Sequence, residues 1–154
     1  MRTYEKLADL AALVGEEIGL SDWTTIDQAR IQQFADATDD QQWIHTDPLR
    51  AAAGPFGMTI AHGFLTLSLL PKFFQQGFVV AQTRMALNYG LGKVRFPAPV
   101  PVGSRLRARF KLLAFEPFTD TSAGGAQLTV EVSVEREGHS KPVCVAESLT
   151  RQYV

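Results

Sequence analysis

The 154-residue chain is poor in the residues that carry several whole classes of function. Its one cysteine, Cys144, rules out a disulfide within the chain and a cysteine-based zinc site, and a reducing compartment is expected. Neither sign of charge dominates. The formal net charge is -1 and no basic block is present, which leaves nucleic acid without electrostatic support as a partner. A phosphate-bearing ligand would need a local basic patch. Long hydrophobic runs are missing too. The opening MRTYEKLADLAALVG is broken by Lys6 and Asp9 and does not read as a signal peptide. The most apolar stretch, TIAHGFLTLSLLPKFF, contains His62, Pro71 and Lys72 and is too short and interrupted to cross a bilayer. A cytoplasmic protein with no membrane partner is expected, and no internal repeat or low-complexity segment divides the chain.

What is present is a balance typical of one globular domain: 45% hydrophobic and 20% charged residues. The first half reads as helix-rich. Leu7, Leu10, Ala11 and Val14 recur at helical spacing before Gly15, and EIGLSDWTTID reads as a strand. A helix from Asp27 places Ile31, Phe34 and Ala35 on one face. In TDPLRAAAG, Asp47 suits an N-cap, Pro48 the first helical position and Gly54 the C-terminus. IAHGFLTLSLLPKFFQQG is apolar all round, which predicts a helix buried on every side, with Pro71 kinking or ending its regular part. The second half alternates. Leu106, Ala108, Phe110 and Leu112 face one way and Arg105, Arg107, Arg109 and Lys111 the other. QLTVEVSVERE repeats the pattern with glutamates outward, which suits an antiparallel neighbour of the basic strand. TDTSAGGA joins the two. Further strands are expected over about 85–96 and in VCVAESLTRQYV. The order of elements predicts an antiparallel α+β fold, with the one-sided sheet wrapped around the apolar helix.

Chemistry concentrates in DATDDQQWIHTDP, residues 36–48. Asp40 and His45 form an acid–base combination able to position and deprotonate a water. Their spacing alone equally fits a solvated helix end, with Asp47 capping and His45 in a loop. Trp43 and Ile44 favour a cleft, because they draw His45 out of bulk water. In IAHGFL, Gly63 opens the apolar helix, where unsatisfied amides and the dipole favour a developing oxyanion and glycine allows close approach. The alternative is that Gly63 serves packing alone and His62 is a satisfied core histidine. His45, His62 and the aspartates match no metal motif, and no metal is assigned. Cys144 lies in a strand with no adjacent base, Ser68 suits a bond to its own helix, and His139 an exposed turn.

FADATDDQQWIHTDPLRAAAGPFGMTIAHGFLTLSLL resembles the MaoC-like dehydratases, or (R)-specific enoyl-CoA hydratases. The family motif is an Asp, four residues, a His, then Asp-Pro, an alanine-bearing short helix and Ala-His-Gly. Here these are Asp40, His45, Asp47, Pro48, Ala51 and residues 61–63. NYGLGKVRFPAPVPVG adds the later strand and turn. Where many members have Asn-Pro before the histidine, this chain has Gln42-Trp43, as in the nodulation-protein-N-like branch; Trp43 is therefore a candidate to reshape the acyl pocket. A serine that some members carry further along the helix falls at Pro71.

The resemblance implies one hot-dog domain over residues 1–154, a homodimer with acyl-CoA at the subunit interface, and no metal or redox cofactor, CoA being part of the substrate. It implies a carbon–oxygen lyase that reversibly adds water to a trans-2-enoyl-CoA to give the (3R)-3-hydroxyacyl-CoA. Asp40 and His45 become the catalytic pair and the Gly63 amide holds the thioester oxygen. Arg84, Lys93, Arg95 and Arg105 are candidates for the CoA phosphates. A hot-dog thioesterase and a non-catalytic acyl-thioester binding protein are the rival readings.

Overall fold

A computed structural model describes residues 1–118 and 124–154. The chain starts with strand β1 (Arg2–Tyr4), a 3-10 helix (Leu7–Leu13), β2 (Glu17–Leu20) and β3 (Thr24–Thr25). Helices α1 (Gln28–Thr38), α2 (Trp43–Thr46), α3 (Pro48–Ala52), α4 (Gly63–Ser68) and α5 (Leu70–Gly77) follow. Strands β4 (Phe78–Val80), β5 (Met85–Arg95), β6 (Arg105–Pro117), β7 (Gly125–Arg136) and β8 (Cys144–Tyr153) complete it. Residues 119–123 of the TDTSAGGA connection lie outside the described residues.

The main sheet runs β2-β6-β7-β8-β5, with β3 also on β6, and every pairing in it is antiparallel. The alternation in β6 and β7 has the expected outcome: Leu106, Ala108, Phe110 and Leu112 are sealed inside with Leu128, Val130, Val132 and Val134. The outward charges also meet. Arg107 Nε donates to Glu135 at 2.7 Å, and Arg109 reaches Glu135 at 2.5 Å and Glu17 at 2.9 Å. Against the inner face lies the kinked α4–α5 rod, its Phe73 fully buried and Phe74 stacked on Phe110 at 4.6 Å. Gly77 permits this approach, because a β-carbon there would collide with the Phe110 ring. This is the hot-dog arrangement, a curved antiparallel sheet around a central helix.

Three expectations need correction. The strand read over EIGLSDWTTID is broken after Leu20. The Ser21 hydroxyl accepts the Ala108 amide at 2.8 Å, so a side chain takes over a ladder bond and the chain bends away before rejoining at Thr24. The pattern also does not anticipate the small parallel pair of β1 and β4. Most important, the α4–α5 rod is not buried on every side. Phe64, Ser68, Pro71 and Gln75 form an exposed stripe, and Phe64 is 71% exposed. The stripe shares its flank with β5, whose free edge leaves Leu87, Tyr89 and Leu91 uncovered.

Candidate active site

The site is assembled where α1, α2 and the start of α4 meet. Asp27 caps α1 by accepting the Arg30 amide at 2.9 Å, and the helix ends at Asp39 in the left-handed region, φ 60°. The turn puts Asp40 at the head of a short loop. Asp36 remains outside, its carboxylate accepting from Gln32 at 2.8 Å and Gln41 at 2.7 Å, which hold it below the ordinary carboxylate value. Of the run of aspartates, only Asp40 turns toward the histidines.

The loop is clamped by its backbone. The Gln28 amide nitrogen donates to the His45 carbonyl at 2.8 Å, and the Gln28 amide oxygen accepts the Thr59 hydroxyl at 2.5 Å. The Ile60 amide donates to the Ile44 carbonyl at 3.0 Å. Trp43 packs on Gly54, with the Arg50 guanidinium 4.6 Å above its ring. It therefore anchors the α2–α3 corner and does not line the cavity that holds His45.

His45 is 6% exposed, and its Nδ1 lies 2.6 Å from the Ile60 carbonyl oxygen. A carbonyl only accepts, so Nδ1 carries the proton and donates, and Nε2 of the neutral ring is left as an acceptor. Beside it lies His62, 2% exposed, with its ring stacked on His45 at 3.7 Å and on the other side 5.0 Å from Phe34. His62 Nε2 donates to the Asp40 backbone carbonyl at 3.0 Å and lies 3.9 Å from the Asp40 carboxylate. The buried Nδ1 of His62 has no partner among the described residues. Asp40, His45 and His62 thus bring side-chain atoms within 4.8 Å of one another.

The structure places Asp40 and His45, paired from their spacing, in one cluster, and adds His62 to them. It is not a satisfied core histidine: it backs the His45 ring and fixes the loop carbonyl next to the Asp40 side chain. The only local hint was its place at the N-cap of an apolar helix, and its contacts span 17 and 22 positions of sequence. Gln28 had no signal in the sequence. Nor does the cluster suit a shared ion. The two imidazole planes are inclined by only 25°, so stacked rings cannot both direct an in-plane lone pair to one point at a coordination distance of about 2.0 Å.

Gly63 and His45 line one cavity of about 360 Å³, walled by Phe56, Phe96 and Pro97. Gly63 begins α4, and the His62 side chain does not cap that end, so its first-turn amides have no partner within the helix. Asp40 opens on the other side, into a concavity with Phe34, Phe64 and Ser68. The cluster therefore sits at a junction, with Gly63 toward one cavity and the Asp40 carboxylate toward the other. Of the remaining candidates, Ser68 Oγ bonds the Leu65 carbonyl at 2.8 Å as expected, and Arg105 is occupied by Glu137 at 2.8 Å.

Burial pushes the His45 imidazole below its ordinary value and the neighbouring His62 adds to this, against the opposing effects of the Ile60 carbonyl and Asp40. A histidine lowered on folding binds fewer protons when folded. Its stabilising contribution is then full above about pH 6.5 and is lost as pH falls through the lower folded value. The melting temperature is expected to drop between about pH 7 and about pH 5, and His45→Gln to flatten that part of the curve. A wild-type melting temperature that is level over this range would contradict the environment assigned to His45.

The family model described as MaoC like domain matches residues 9–136. The chain is 60% identical over 151 residues to 3-hydroxyacyl-thioester dehydratase Z of Mycobacterium tuberculosis, covering 98% of each chain. It is 47% identical over 149 residues to nodulation protein N of Rhizobium leguminosarum bv. viciae, covering 94% of this chain and 89% of that one. Among solved structures, the (R)-hydratase from A. caviae superposes with a TM-score of 0.70 at 23% identity, covering 89% of this chain and 94% of that one. The chain belongs to the MaoC-like dehydratase family, in the branch that includes nodulation protein N.

Proposed function

We propose that the protein is an (R)-specific enoyl-CoA hydratase, adding water reversibly to a trans-2-enoyl-CoA to give the (3R)-3-hydroxyacyl-CoA. Family membership supports the coarser part, hydration and dehydration of acyl thioesters. The observation that carries the finer reading is His45, whose Nε2 is left as an acceptor, clustered with the Asp40 carboxylate and lining one cavity with Gly63.

In this reading a water sits between Asp40 and His45. Its oxygen attacks C3 of the conjugated thioester while His45 manages the proton that is delivered to C2, so one hydroxyl and one hydrogen are added and nothing else is consumed. Charge that builds on the thioester oxygen is met by the Gly63 amide. The relatives support both halves: one is a 3-hydroxyacyl-thioester dehydratase by name, and one structural neighbour an (R)-hydratase.

Crotonyl-CoA tests the proposal directly. Loss of the conjugated-thioester absorbance with no free thiol is expected, and chiral chromatography should show the (3R) product. Free CoA would identify a thioesterase instead, and binding without either change a non-catalytic protein.

The homodimer is proposed on the same footing. β5 is an edge strand of 11 residues with apolar side chains and a free edge, and such strands require cover. A second copy pairing β5 to β5 would also cover Phe64 and the stripe on α4–α5. Light scattering of the active protein is expected to give twice the 16.9 kDa chain mass. A mass of one chain, with activity intact, would refute it.

A further inference from the structure

We propose that the acyl chain this site serves carries a hydrogen-bonding group, such as a hydroxyl or carbonyl, at its far end. The inference rests on the hydratase reading and concerns a part of the molecule that the acid–base groups do not touch.

Three concavities along the flank of α4–α5, which the proposed second copy would roof into a channel, share walls. The one beside Asp40 shares Leu67 and Ser68 with the next, of about 410 Å³. That in turn shares Pro71 and Asn88 with the last, of about 460 Å³. Together they form one groove, bounded by α4–α5 and by β5 and β8. From Phe64 at its head to Gln75 at its foot the helix rises about 16 Å, room for an extended chain well beyond four carbons.

The character of the groove changes along its length. Phe34, Phe64 and Leu67 wall the end at Asp40, and Leu70 and Pro71 the middle. At the far end a polar cluster of Thr83, Arg84, Asn88, Thr150 and Gln152 stands among apolar residues that include Phe74, Phe78 and Met85. The polarity is confined to that end of β8. Its inward positions begin with Cys144 and Ala146 and then become Ser148, Thr150 and Gln152, all buried. The matching inward positions of β7 stay apolar throughout, from Ala126 to Val134. Inward polar groups are costly unless they meet a partner. Only part of that demand is met internally: the Thr83 hydroxyl donates to the Gln152 amide oxygen at 2.9 Å. This fixes the Gln152 amide and leaves its NH₂ free to donate. The Ser148 and Thr150 hydroxyls have no hydrogen-bond partner among the described residues, and each lines the groove.

An alkyl terminus would leave these groups unpaired, whereas a terminal hydroxyl or carbonyl would satisfy them. Arg84 at the same end adds a further donor, so a terminal oxygen, which accepts, fits this wall. A site built to hydrogen-bond a substrate group discriminates against the analogue that lacks it.

The test compares kcat/KM for trans-2-hexadecenoyl-CoA, long enough to reach the far end, with that for the same chain hydroxylated at its terminal carbon, and crotonyl-CoA is run alongside. The hydroxylated chain is expected to be favoured about tenfold, the scale of one net hydrogen bond. Thr150→Val and the Thr150→Val/Gln152→Leu pair should erase that ratio. Because each ratio is taken within one protein, a general loss of activity does not mimic the effect, and the near-isosteric Thr150→Val remains readable if the pair folds poorly. Equal or better use of the plain hexadecenoyl chain by the wild type overturns the inference, as does a preference that survives in both variants. Hydration of crotonyl-CoA with no such preference removes the groove assignment alone. No hydration of any of the three removes the hydratase reading and this inference with it.

Discussion

Asp40→Asn is expected to lower turnover of crotonyl-CoA by about 10² to 10⁴, the range for one positioned acid–base group, while the protein stays folded. The Asp40 side chain is 53% exposed, and its carboxylate lies 3.9 Å from His62 Nε2. The contact that holds the loop is made by the Asp40 backbone carbonyl with His62 Nε2, and a side-chain substitution leaves it in place. Asparagine keeps the shape and removes only the charge and the second acceptor oxygen. His45→Gln is expected to cost as much, because Nε2 is the acceptor that the Ile60 hydrogen bond leaves free. Since the two groups would serve one water, the double variant should be little worse than either single one. Rates of the two single variants and the double, with circular dichroism as the control for folding, check this. Unaltered turnover in either single variant would remove that residue from the reaction, and additive losses would mean that the two groups act in separate steps.

The fold was largely legible because its strands are one-sided. Period-two alternation in β6 and β7 marks an inner face whatever else the chain does, and the charges on the outer face chose the partner strand. The interruption at Ser21 was not legible, since a serine in a strand pattern gives no sign that its hydroxyl will take the Ala108 amide. The opening helix carries helical spacing but winds as a 3-10 turn before Gly15 at φ +93°, and periodicity over so few residues does not separate the two. In the site, Asp40 and His45 were found because the turn after α1 and α2 is local. His62 and Gln28 join it only through the fold: His62 by stacking from the start of α4, Gln28 by reaching from α1 to a loop carbonyl. The all-round apolar pattern of α4–α5 places Phe64 in the core, because composition alone cannot distinguish a buried apolar side chain from an exposed one.

Gly63→Val is expected to lower turnover by about 10² to 10³, the cost of one lost oxyanion donor, and Gly63→Ala by less. Addition of water to the enoyl thioester moves charge onto the thioester oxygen, and the cluster of Asp40, His45 and His62 offers no fixed cation to receive it. The free amides at the start of α4 are the available donors in the cavity that His45 shares. The structure also gives Gly63 a packing duty. A β-carbon there would lie 3.0 Å from Cδ2 and 3.1 Å from Cγ of Phe96, so a larger residue must displace that ring. The two effects separate in a Phe96→Ala background, which removes the atoms a new side chain would strike. Phe96 is 41% exposed, and its truncation should leave the fold intact by circular dichroism and melting. If Gly63 holds the thioester oxygen, Gly63→Ala in that background remains slow, because its methyl group still stands between the amide and the oxygen. If packing is its whole role, the Phe96→Ala change relieves the collision and the double variant turns over at the rate of Phe96→Ala alone. That second result would move the carbonyl elsewhere and leave Ala61-His62-Gly63 as a motif for helix placement, with Asp40 and His45 untouched as the acid–base pair.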